Sequence, residues 1–262
     1  MQALSTAATG MMAMDLNVQV IANNLANMTT TGYKRQRATF QDLLYDHISR
    51  IGTQTSAQGN ILPVGIDVGS GVKTVGTARL MTQGTLAPTG NALDVAIRGD
   101  GFFKIQMPDG TYSYSRDGSF QMDAQGRIVT AKGNVVLPTI TIPQNSSGLS
   151  INAQGQVSVI QQGSTQPTIL GQLTLTRFIN QAGLLPIGDN LYTETPASGA
   201  PQDGVPGTDG AGDLLQGTLE QSNVDSVSEI TNLIAAQRAY EMNGKVITAA
   251  DQMLSTTSNL MR

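Results

Sequence analysis

Three acidic turns are the first places in this sequence where chemistry would be sought. Asp109, Asp117 and Asp123 each lie in a short segment that contains a glycine. Carboxylates grouped in a loop are typical ligands of Ca²⁺, but a calcium-binding loop alternates its acidic residues and ends on a glutamate. None of the three segments has that pattern, and Asp-Gly is common in the tight turns of β-hairpins. The three aspartates therefore predict turns between strands.

The other reactive residue types are scarce. His47 is the only histidine, and the chain contains no cysteine. The segment GDGFFK at 99–104 lacks the third glycine of a dinucleotide loop and the Lys-Ser/Thr ending of a phosphate loop. An enzyme would then need two carboxylates converging in one cleft, which no motif indicates. We expect no enzymatic activity, no cofactor and no metal ion.

Composition and charge exclude further classes of protein. The net charge of −4 gives no basic field for nucleic acid, and the basic run at 34–37 is short. No apolar stretch approaches the roughly 20 residues of a membrane-spanning helix. The first residues lack the features of a cleaved signal peptide, so we expect export, if it occurs, by another route. The 29 glycines and the absence of tryptophan fit an extended, turn-rich β body.

The amino-terminal residues repeat in sevens. One heptad position holds Leu4, Met11, Val18 and Leu25, and the position three residues later holds Ala7, Met14, Ile21 and Met28. Apolar residues at both positions over four heptads predict a long helix with a coiled-coil type of stripe. The threonines at 29–31 lower the helix propensity, and Gly32 suits a C-terminal cap. One partner would leave Met12, Leu16 and Val20 uncovered, which favours packing among several helices.

The carboxyl-terminal residues have the same periodicity. Large residues seven apart are Leu233, Tyr240, Ile247, Leu254 and Met261, whereas the companion positions Ala236, Asn243, Ala250 and Thr257 are small or polar. This pattern permits close approach of a second helix without forming a symmetric leucine zipper. Ser222, Asn223 or Asp225 is expected to cap the start of the helix.

The residues between the two stripes predict mainly strands and loops. Phe40, Leu43, Leu44 and Ile48 have helical spacing, so a short helix that includes His47 is expected over 40–49. Residues 51–85 read as extended segments broken by glycine, and 92–142 as consecutive strands. The segments FQMDAQGRIV (120–129) and LSINAQGQVSV (149–159) resemble each other and predict two hairpins with a left-handed glycine. Residues 196–213 are rich in Pro, Gly and Asp and predict an exposed loop or linker.

Three segments carry a resemblance to a known family. IANNLANMTTTGYKRQRATFQDLL (21–44) resembles the N-terminal signature of bacterial flagellar rod and hook proteins, and residues 222–260 resemble their C-terminal signature. GNALDVAIRGDGFFKI (90–105) is similar to the start of their β-rich outer domain. The chain length and the segment 46–72 look most like the distal rod, with hook and proximal rod subunits as alternatives. A secreted β-rich carbohydrate-binding protein or adhesin is a more distant alternative, which the few aromatic residues disfavour.

The resemblance implies an α+β axial protein in three parts. Residues 1–32 and 222–262 would pair as a coiled-coil-like axial domain, 33–91 and 197–221 would form a connector with the short helix and an extended segment, and 92–196 would be the β-rich outer domain. The interface with neighbouring copies would include Leu4, Met11, Val18, Leu25, Leu233, Tyr240, Ile247 and Leu254. Asn23, Asn24 and Asn27 would supply hydrogen bonds where helix passes into loop.

The resemblance also implies an assembly and a place in the cell. Copies would assemble helically into a rigid hollow shaft that transmits torque to the hook. The partners would be the proximal rod proteins, the hook or hook-junction proteins, the surrounding P and L rings and the flagellar type III export apparatus, but no nucleic acid. The location would be the basal body, from the periplasm to the outer membrane.

Overall fold

The computed structural model of the chain describes residues 2–49, 64–161 and 166–260. These residues divide into two compact units. The terminal unit comprises the described parts of 1–25, 36–78 and 225–262, and the β unit comprises those of 26–35 and 79–224. Long terminal helices with a mainly β region between them confirm the predicted α+β class. The three-part division expected from the sequence stays a prediction.

The terminal unit holds both helices and four short strands. Its elements are α1 (Gln2–Ala26), β1 (Gln36–Asp42), β2 (Tyr45–Ser49), β3 (Ile66–Gly69), β4 (Val72–Arg79) and α2 (Ser226–Leu260). Strand β1 pairs with β4, and β2 pairs antiparallel with β3. Within the described residues, neither helix is long and apolar enough to cross a membrane.

The helix ends follow local hydrogen bonding. The Asp225 carboxylate accepts a bond from the Ser228 backbone N–H at 3.3 Å, so Asp225, one of three expected residues, caps α2. The first helix ends at Ala26, six residues before Gly32. Gly32 does adopt a left-handed φ of 68°, but its N–H donates to the Glu220 carbonyl at 2.8 Å. The expectation that Gly32 caps α1 directly was therefore wrong.

The short helix expected over 40–49 was also wrong, because this segment forms strands. Residues through Asp42 belong to β1, and Tyr45–Ser49 form β2. The Leu43 N–H donates to the Gly71 carbonyl at 2.8 Å, and the Leu44 carbonyl accepts from the Ser70 N–H at 3.1 Å. Leu44 is 87% exposed. The apolar residues thus share no buried helical face, and pairing with a distant segment satisfies the backbone instead.

Part of the segment 46–72 lies outside the described residues. These are residues 50–63, so the extended path expected there stays a prediction. The described residues that follow, Ile66–Gly69 with the start of β4, are extended as expected.

The β unit is built almost entirely of antiparallel strands. Its strands are β5 (Leu86–Pro88), β6 (Val95–Arg98), β7 (Phe103–Gln106), β8 (Tyr112–Ser115), β9 (Gln121–Met122), β10 (Ile128–Val129), β11 (Val135–Leu137), β12 (Ser146–Ile151), β13 (Gln156–Gln161), β14 (Pro167–Gln172), β15 (Leu175–Arg177), β16 (Leu185–Gly188), β17 (Leu191–Thr193), β18 (Gln202–Gly204), β19 (Asp213–Gln216) and β20 (Thr218–Glu220). A 3₁₀ turn spans Gln181–Gly183. The prediction of consecutive strands over 92–142 is confirmed.

The strands form one large sheet and several small ones. The seven-stranded sheet has the order β16-β17-β8-β7-β11-β10-β9, and β12-β13-β14 form a three-stranded sheet. The remaining pairs are β15-β18, β19-β6 and β20-β5. The main core lies among these sheets and contains Val95, Ile97, Phe103, Phe120, Ile128, Val136, Ile140, Ile142, Ile151, Val157, Val159, Leu173, Leu175 and Leu214. A smaller aromatic core contains Phe102, Tyr114, Phe178, Leu184 and Tyr192.

The two similar segments of the sequence fold alike. Gly126 and Gly155 have φ values of 80° and 79°, and each glycine N–H donates to the carbonyl three residues earlier, at 3.0 and 2.9 Å. Their carbonyls accept bonds of 2.7 Å from Ile142 and Leu173, respectively. A β-carbon at either glycine would lie within 2.5 Å of that partner's carbonyl oxygen. The predicted pair of hairpins with left-handed glycines is therefore confirmed.

The Pro/Gly-rich segment 196–213 is more ordered than expected. Strand β18 pairs antiparallel with β15, and Ser198 is fully buried. Proline and glycine mark turns but carry no information on burial, and Ser198 is held by hydrogen bonds to Thr195 and Asn180. The expectation of an exposed loop was therefore wrong for part of this segment.

Candidate assembly interface

The two helices of the terminal unit lie antiparallel and contact each other through small and polar residues. Asn24 near the end of α1 bonds to Glu229 at the start of α2, and Gly10 faces Asn243. The residue numbers add to 253 in both pairs (24 + 229 and 10 + 243), which defines the register. A β-carbon added at Gly10 would lie 2.9 Å from the Asn243 amide nitrogen, so the helices approach closely here.

The residues of α2 that are buried against α1 occupy the small or polar positions seven apart, which we call the small stripe. The large residues seven apart, which begin at Leu233, are the large stripe. Glu229, Ala236 and Ala250 are 1, 3 and 7% exposed, and Asn243 between them is half-buried. These residues are seven apart, as in a helix that keeps one face toward a partner. The small stripe thus serves the contact within the chain. The large stripe is less buried, since Leu233 and Ile247 are partly exposed and Tyr240 and Leu254 are 46 and 50% exposed.

On α1, the buried residues coincide only in part with the apolar stripe expected from the sequence. Ala13, Val20 and Asn24 are buried, although Val20 was expected on the uncovered side. That expectation for Val20 was wrong, because the register of the two pairs places it opposite Leu233 of α2 (20 + 233 = 253). Met12, expected to be uncovered, is 67% exposed.

Asn24 joins three elements of the terminal unit. Its side-chain oxygen accepts a bond from the Gln36 N–H, and its Nδ2 donates to the Gln36 carbonyl, both at 2.8 Å. The same nitrogen donates to Glu229 Oε2 at 3.1 Å. The amide thus makes both backbone hydrogen bonds to the first residue of β1, as a neighbouring strand would. Its other Nδ2 proton bonds to Glu229 and so links α1 to α2. We call this group of three residues the Asn24 junction.

The positive end of α2 favours the acidic member of the junction. Glu229 lies in the first turn of the helix, where unpaired backbone N–H groups stabilise a carboxylate. The Glu229 N–H is bonded to the Asp225 carbonyl at 3.0 Å. A carboxylate at this point is therefore compatible with burial.

The apolar residues of α2 lie mostly outside its contact with α1. Its exposed large apolar residues are Val227, Ile230, Ile234, Tyr240, Met242, Val246, Met253 and Leu254. Ile230 and Met242 are twelve residues apart and so point roughly 120° apart around the helix axis. Exposed apolar surface on more than one side of a helix is typical of a contact with several partners.

The eight interface residues expected from the sequence fall into two groups. Tyr240 and Leu254 are 46 and 50% exposed. The six that are only partly exposed are Leu4, Met11, Val18, Leu25, Leu233 and Ile247. Their contact with neighbouring copies stays a prediction.

The β2–β3 hairpin carries further exposed apolar side chains. Ile48 and Ile66 are 65 and 57% exposed. His47, on β2, has its Nδ1 2.6 Å from a carboxylate oxygen of Asp67 on β3. In the part of the chain that the structure describes, no group of histidine and carboxylates has the arrangement of a metal site.

Buried charges in the β unit form a separate cluster. The Lys34 ammonium lies 2.6 Å from Glu220 Oε1, and the Arg116 guanidinium lies 3.2 Å from Oε2. Burial lowers the pKa of Lys34, the Arg116 charge lowers it further, and Glu220 opposes both effects. Lys34 also donates to the Thr82 carbonyl at 2.9 Å, and the Gly84 N–H donates to Glu220 at 2.8 Å. The buried Glu220 carboxylate is shared by two cations, and the exposed Asp100 carboxylate lies 4.0 Å from Arg116, so the cluster supports the fold.

Several of these residues were not identified from the sequence. The sequence indicated hydrogen bonding by the asparagines at the end of α1 but not the partner of Asn24, which is 205 residues away in Glu229. The Lys34–Glu220 pair is separated by 186 residues, and Lys34 was assigned only to a short basic run. For Gly10 and Asn243, the available signal was the small or polar residues seven apart on α2. They predicted the close approach of a second helix but did not identify which helix.

Comparisons with known proteins cover both ends and the β region. Residues 4–34 match the family described as "Flagella basal body rod protein", 96–159 match "Flagellar hook protein FlgE/F/G D1 domain", and 215–260 match "Flagellar basal body rod FlgEFG protein C-terminal". The flagellar basal-body rod protein FlgG of Caulobacter vibrioides is 55% identical over 99% of both chains. The FlgG of Agrobacterium fabrum is 51% identical over the whole of both.

A second rod protein separates the members of this family. The flagellar basal-body rod protein FlgF of Caulobacter vibrioides is 36% identical, over 96% of this chain and 91% of its own length. The same organism's FlgG is more similar at 55%. Because relatives of this identity align along the full length, the chain belongs to the flagellar basal-body rod protein family.

Proposed function

We propose that this chain is a structural subunit of the distal flagellar rod. Copies assemble helically into a rigid hollow shaft that transmits torque to the hook. The rod relatives support the assembly class, and the greater identity to FlgG than to FlgF supports the distal position. The chain functions by forming contacts, so no residue is assigned a catalytic role.

The observation that carries this proposal is the exposed apolar surface of α2. Ile230 and Met242 face different directions, and one partner covers only one of them. At least two neighbouring copies are then needed to remove this surface from water. Repeated contacts in two directions produce a helical array when the rotation between copies does not close a ring.

The axial part of the assembly consists of the terminal helices in a coiled-coil-like packing. The small residues of α1 and α2 approach each other within one chain, and the larger ones meet other copies. Leu4, Met11, Val18, Leu25, Leu233, Tyr240, Ile247 and Leu254 lie at these contacts. The further partners are the proximal rod proteins, the hook or hook-junction proteins, the P and L rings and the type III export apparatus.

A matched pair of substitutions tests the assembly. Leu254→Asp places a charge on an exposed apolar position, whereas Gln252→Asp places one two residues away on an exposed polar position. A buried, unpartnered carboxylate strongly disfavours a contact. In cells whose only copy carries Leu254→Asp, we expect at least roughly tenfold fewer complete rods in isolated basal bodies. Gln252→Asp should give wild-type numbers.

The outcome separates the candidates. Wild-type numbers of rods with Leu254→Asp, at equal amounts of exported protein, would contradict an interface at α2. A hook or proximal rod subunit is the second candidate, supported by the shared family descriptions. Electron microscopy of tubes formed by the purified chain distinguishes the distal rod from a hook, because a distal rod gives straight tubes and a hook gives curved ones.

A further inference from the structure

The contact between α1 and α2 contains little that would fix its register. Ala236, Asn243 and Ala250 follow each other at intervals of seven and are all small or polar. A shift of seven residues along α2 would exchange one of these for another opposite Gly10. Such an exchange alters little apolar burial, since alanine has a small side chain. The small stripe therefore allows close approach without selecting one alignment.

The Asn24 junction is satisfied in only one alignment. Asn24 is 1% exposed, and its oxygen and both amide protons bond to Gln36 and Glu229. A shift of seven residues would place Ala236 opposite Asn24, since 229 + 7 is 236. The second proton of the amide and the Glu229 carboxylate oxygen would then lose each other while still buried, which is costly for polar groups.

We propose that the Asn24 junction determines the register of α1 against α2, and through it the face that the subunit presents to other copies. The inference rests on the proposed function for its consequence but not for its test. A buried polar residue in an otherwise apolar helix contact is known to select register at some cost in stability. Because Asn24 also bonds the backbone of Gln36, β1 holds α1 in place as α2 aligns.

Register matters because it sets the stagger of the large apolar residues. A slip of seven residues displaces the stripe of α2 by about 10 Å along that of α1. Tyr240 would then stand where Leu233 stands in the native alignment. Neighbouring subunits in one helical lattice need identical surfaces, so subunits with different registers would not pack into a uniform shaft.

Engineered cysteines report the register directly, because the chain has none of its own. The matched pair is Gly10→Cys with Asn243→Cys, whose side chains face each other. Slipped pairs are Gly10→Cys with Ala236→Cys and Gly10→Cys with Ala250→Cys. In dilute full-length protein under mild oxidation, we expect the matched pair to form a disulfide at least roughly tenfold faster than either slipped pair.

Removal of the junction should change the ratio of these rates. With Asn24→Ala or Glu229→Ala added, the preference for the matched pair should fall to about threefold or less. A residue that only stabilises the helices would slow all disulfides together and leave the ratio unchanged. An unchanged ratio, or the absence of a preference in the parent, would overturn the proposal.

A charge variant supplies the rescue. Asn24→Asp places its carboxylate against that of Glu229, so the ratio should fall as in the alanine variants. Adding Glu229→Gln restores a donor opposite the new acceptor and leaves the Gln36 carbonyl without its donor, so part of the lost preference should return. Failure of this rescue, with the proteins still folded, would contradict a register role. Rod assembly is scored separately, so a register preference without assembly would contradict the proposed function and leave this inference standing.

Discussion

The terminal unit and the β unit differ in where they place their apolar residues. Among the described residues of the terminal unit, the buried apolar side chains are Ala7, Ala13, Val20, Ile21, Ala236 and Ala250. Four of these six are alanines, which remove little apolar area from water. The β unit instead buries large aliphatic and aromatic side chains such as Ile97, Phe103 and Leu214 at 2% exposure or less.

The difference extends to polar contacts. In the β unit, Glu220 is buried between Lys34 and Arg116. In the terminal unit, the buried polar contact is the Asn24 junction, where an amide carries three bonds and a single carboxylate takes part. The β unit therefore has a large apolar core of its own, whereas the terminal unit buries mainly small residues and one polar junction. A unit that exposes large apolar side chains and buries small ones is typical of a surface that contacts other molecules.

The largest effect is expected at the buried charges of the β unit. Glu220→Ala removes the buried carboxylate that Lys34 and Arg116 share and leaves the exposed Asp100 carboxylate 4.0 Å from Arg116. Removing one partner of a buried ion pair costs about 3–5 kcal/mol. Urea unfolding of the monomer measures the loss. The control, Lys132→Ala, breaks an exposed ion pair with Asp189 and should cost about 1 kcal/mol or less. Equal losses would contradict the contrast between the buried and exposed charges.

The same Leu→Ala substitution in each unit compares how much the stability of the unit depends on that side chain. Leu214→Ala removes a side chain that is 2% exposed and should lower the free energy of unfolding by about 2–5 kcal/mol. Leu254→Ala removes one that is 50% exposed and should change monomer stability by about 0.5 kcal/mol or less. Calorimetry of dilute protein provides the measurement. A larger loss at Leu254 would mean that α2 is already covered in the monomer.

The smallest effect concerns alkaline pH and the aromatic core. Burial raises the pKa of Tyr114 to about 12, and the Glu194 carboxylate near its hydroxyl acts in the same direction. The folded state thus favours the neutral phenol. Its contribution to stability is complete below the usual pKa of 10.0 and is lost as the pH rises from there toward 12.

Tyr114→Phe should therefore make the loss of β-unit stability above pH 10 less steep. Hydrogen exchange and urea unfolding at a series of alkaline pH values measure the slope. Tyr112→Phe removes a phenol at a ring that is 49% exposed and serves as the control. The same slope in the parent and in Tyr114→Phe would show that ionisation of the Tyr114 phenol does not affect the stability of the β unit.

The sequence alone determined the elements with strong periodicity. Four heptads at 4–28 and the repeat at 233–261 predicted both helices, because a stripe every seven residues is maintained only by a helix. The Asp-Gly turns and the paired glycines Gly126 and Gly155 predicted hairpins, since a left-handed backbone is accessible to glycine at little cost. The terminal signatures predicted the family.

Local pattern failed where a distant partner decided the structure. The spacing of Phe40, Leu43, Leu44 and Ile48 fitted a helix, but strands that begin at Ile66 and Val72 supplied hydrogen bonds to this segment. The burial of Ser198 likewise depends on contacts that proline and glycine content does not describe. Such pairings are not encoded in a window of neighbouring residues.

Tertiary structure alone decided which stripe of each helix is used within the chain. Periodicity gave two stripes on α2, a large one and a small one, and both satisfy a heptad pattern. The structure buries the small one because Gly10 admits Asn243 at close range and because Asn24 reaches Glu229 across 205 residues of sequence. Close packing and buried hydrogen bonds depend on three-dimensional proximity, whereas helical periodicity is already present in the order of the residues.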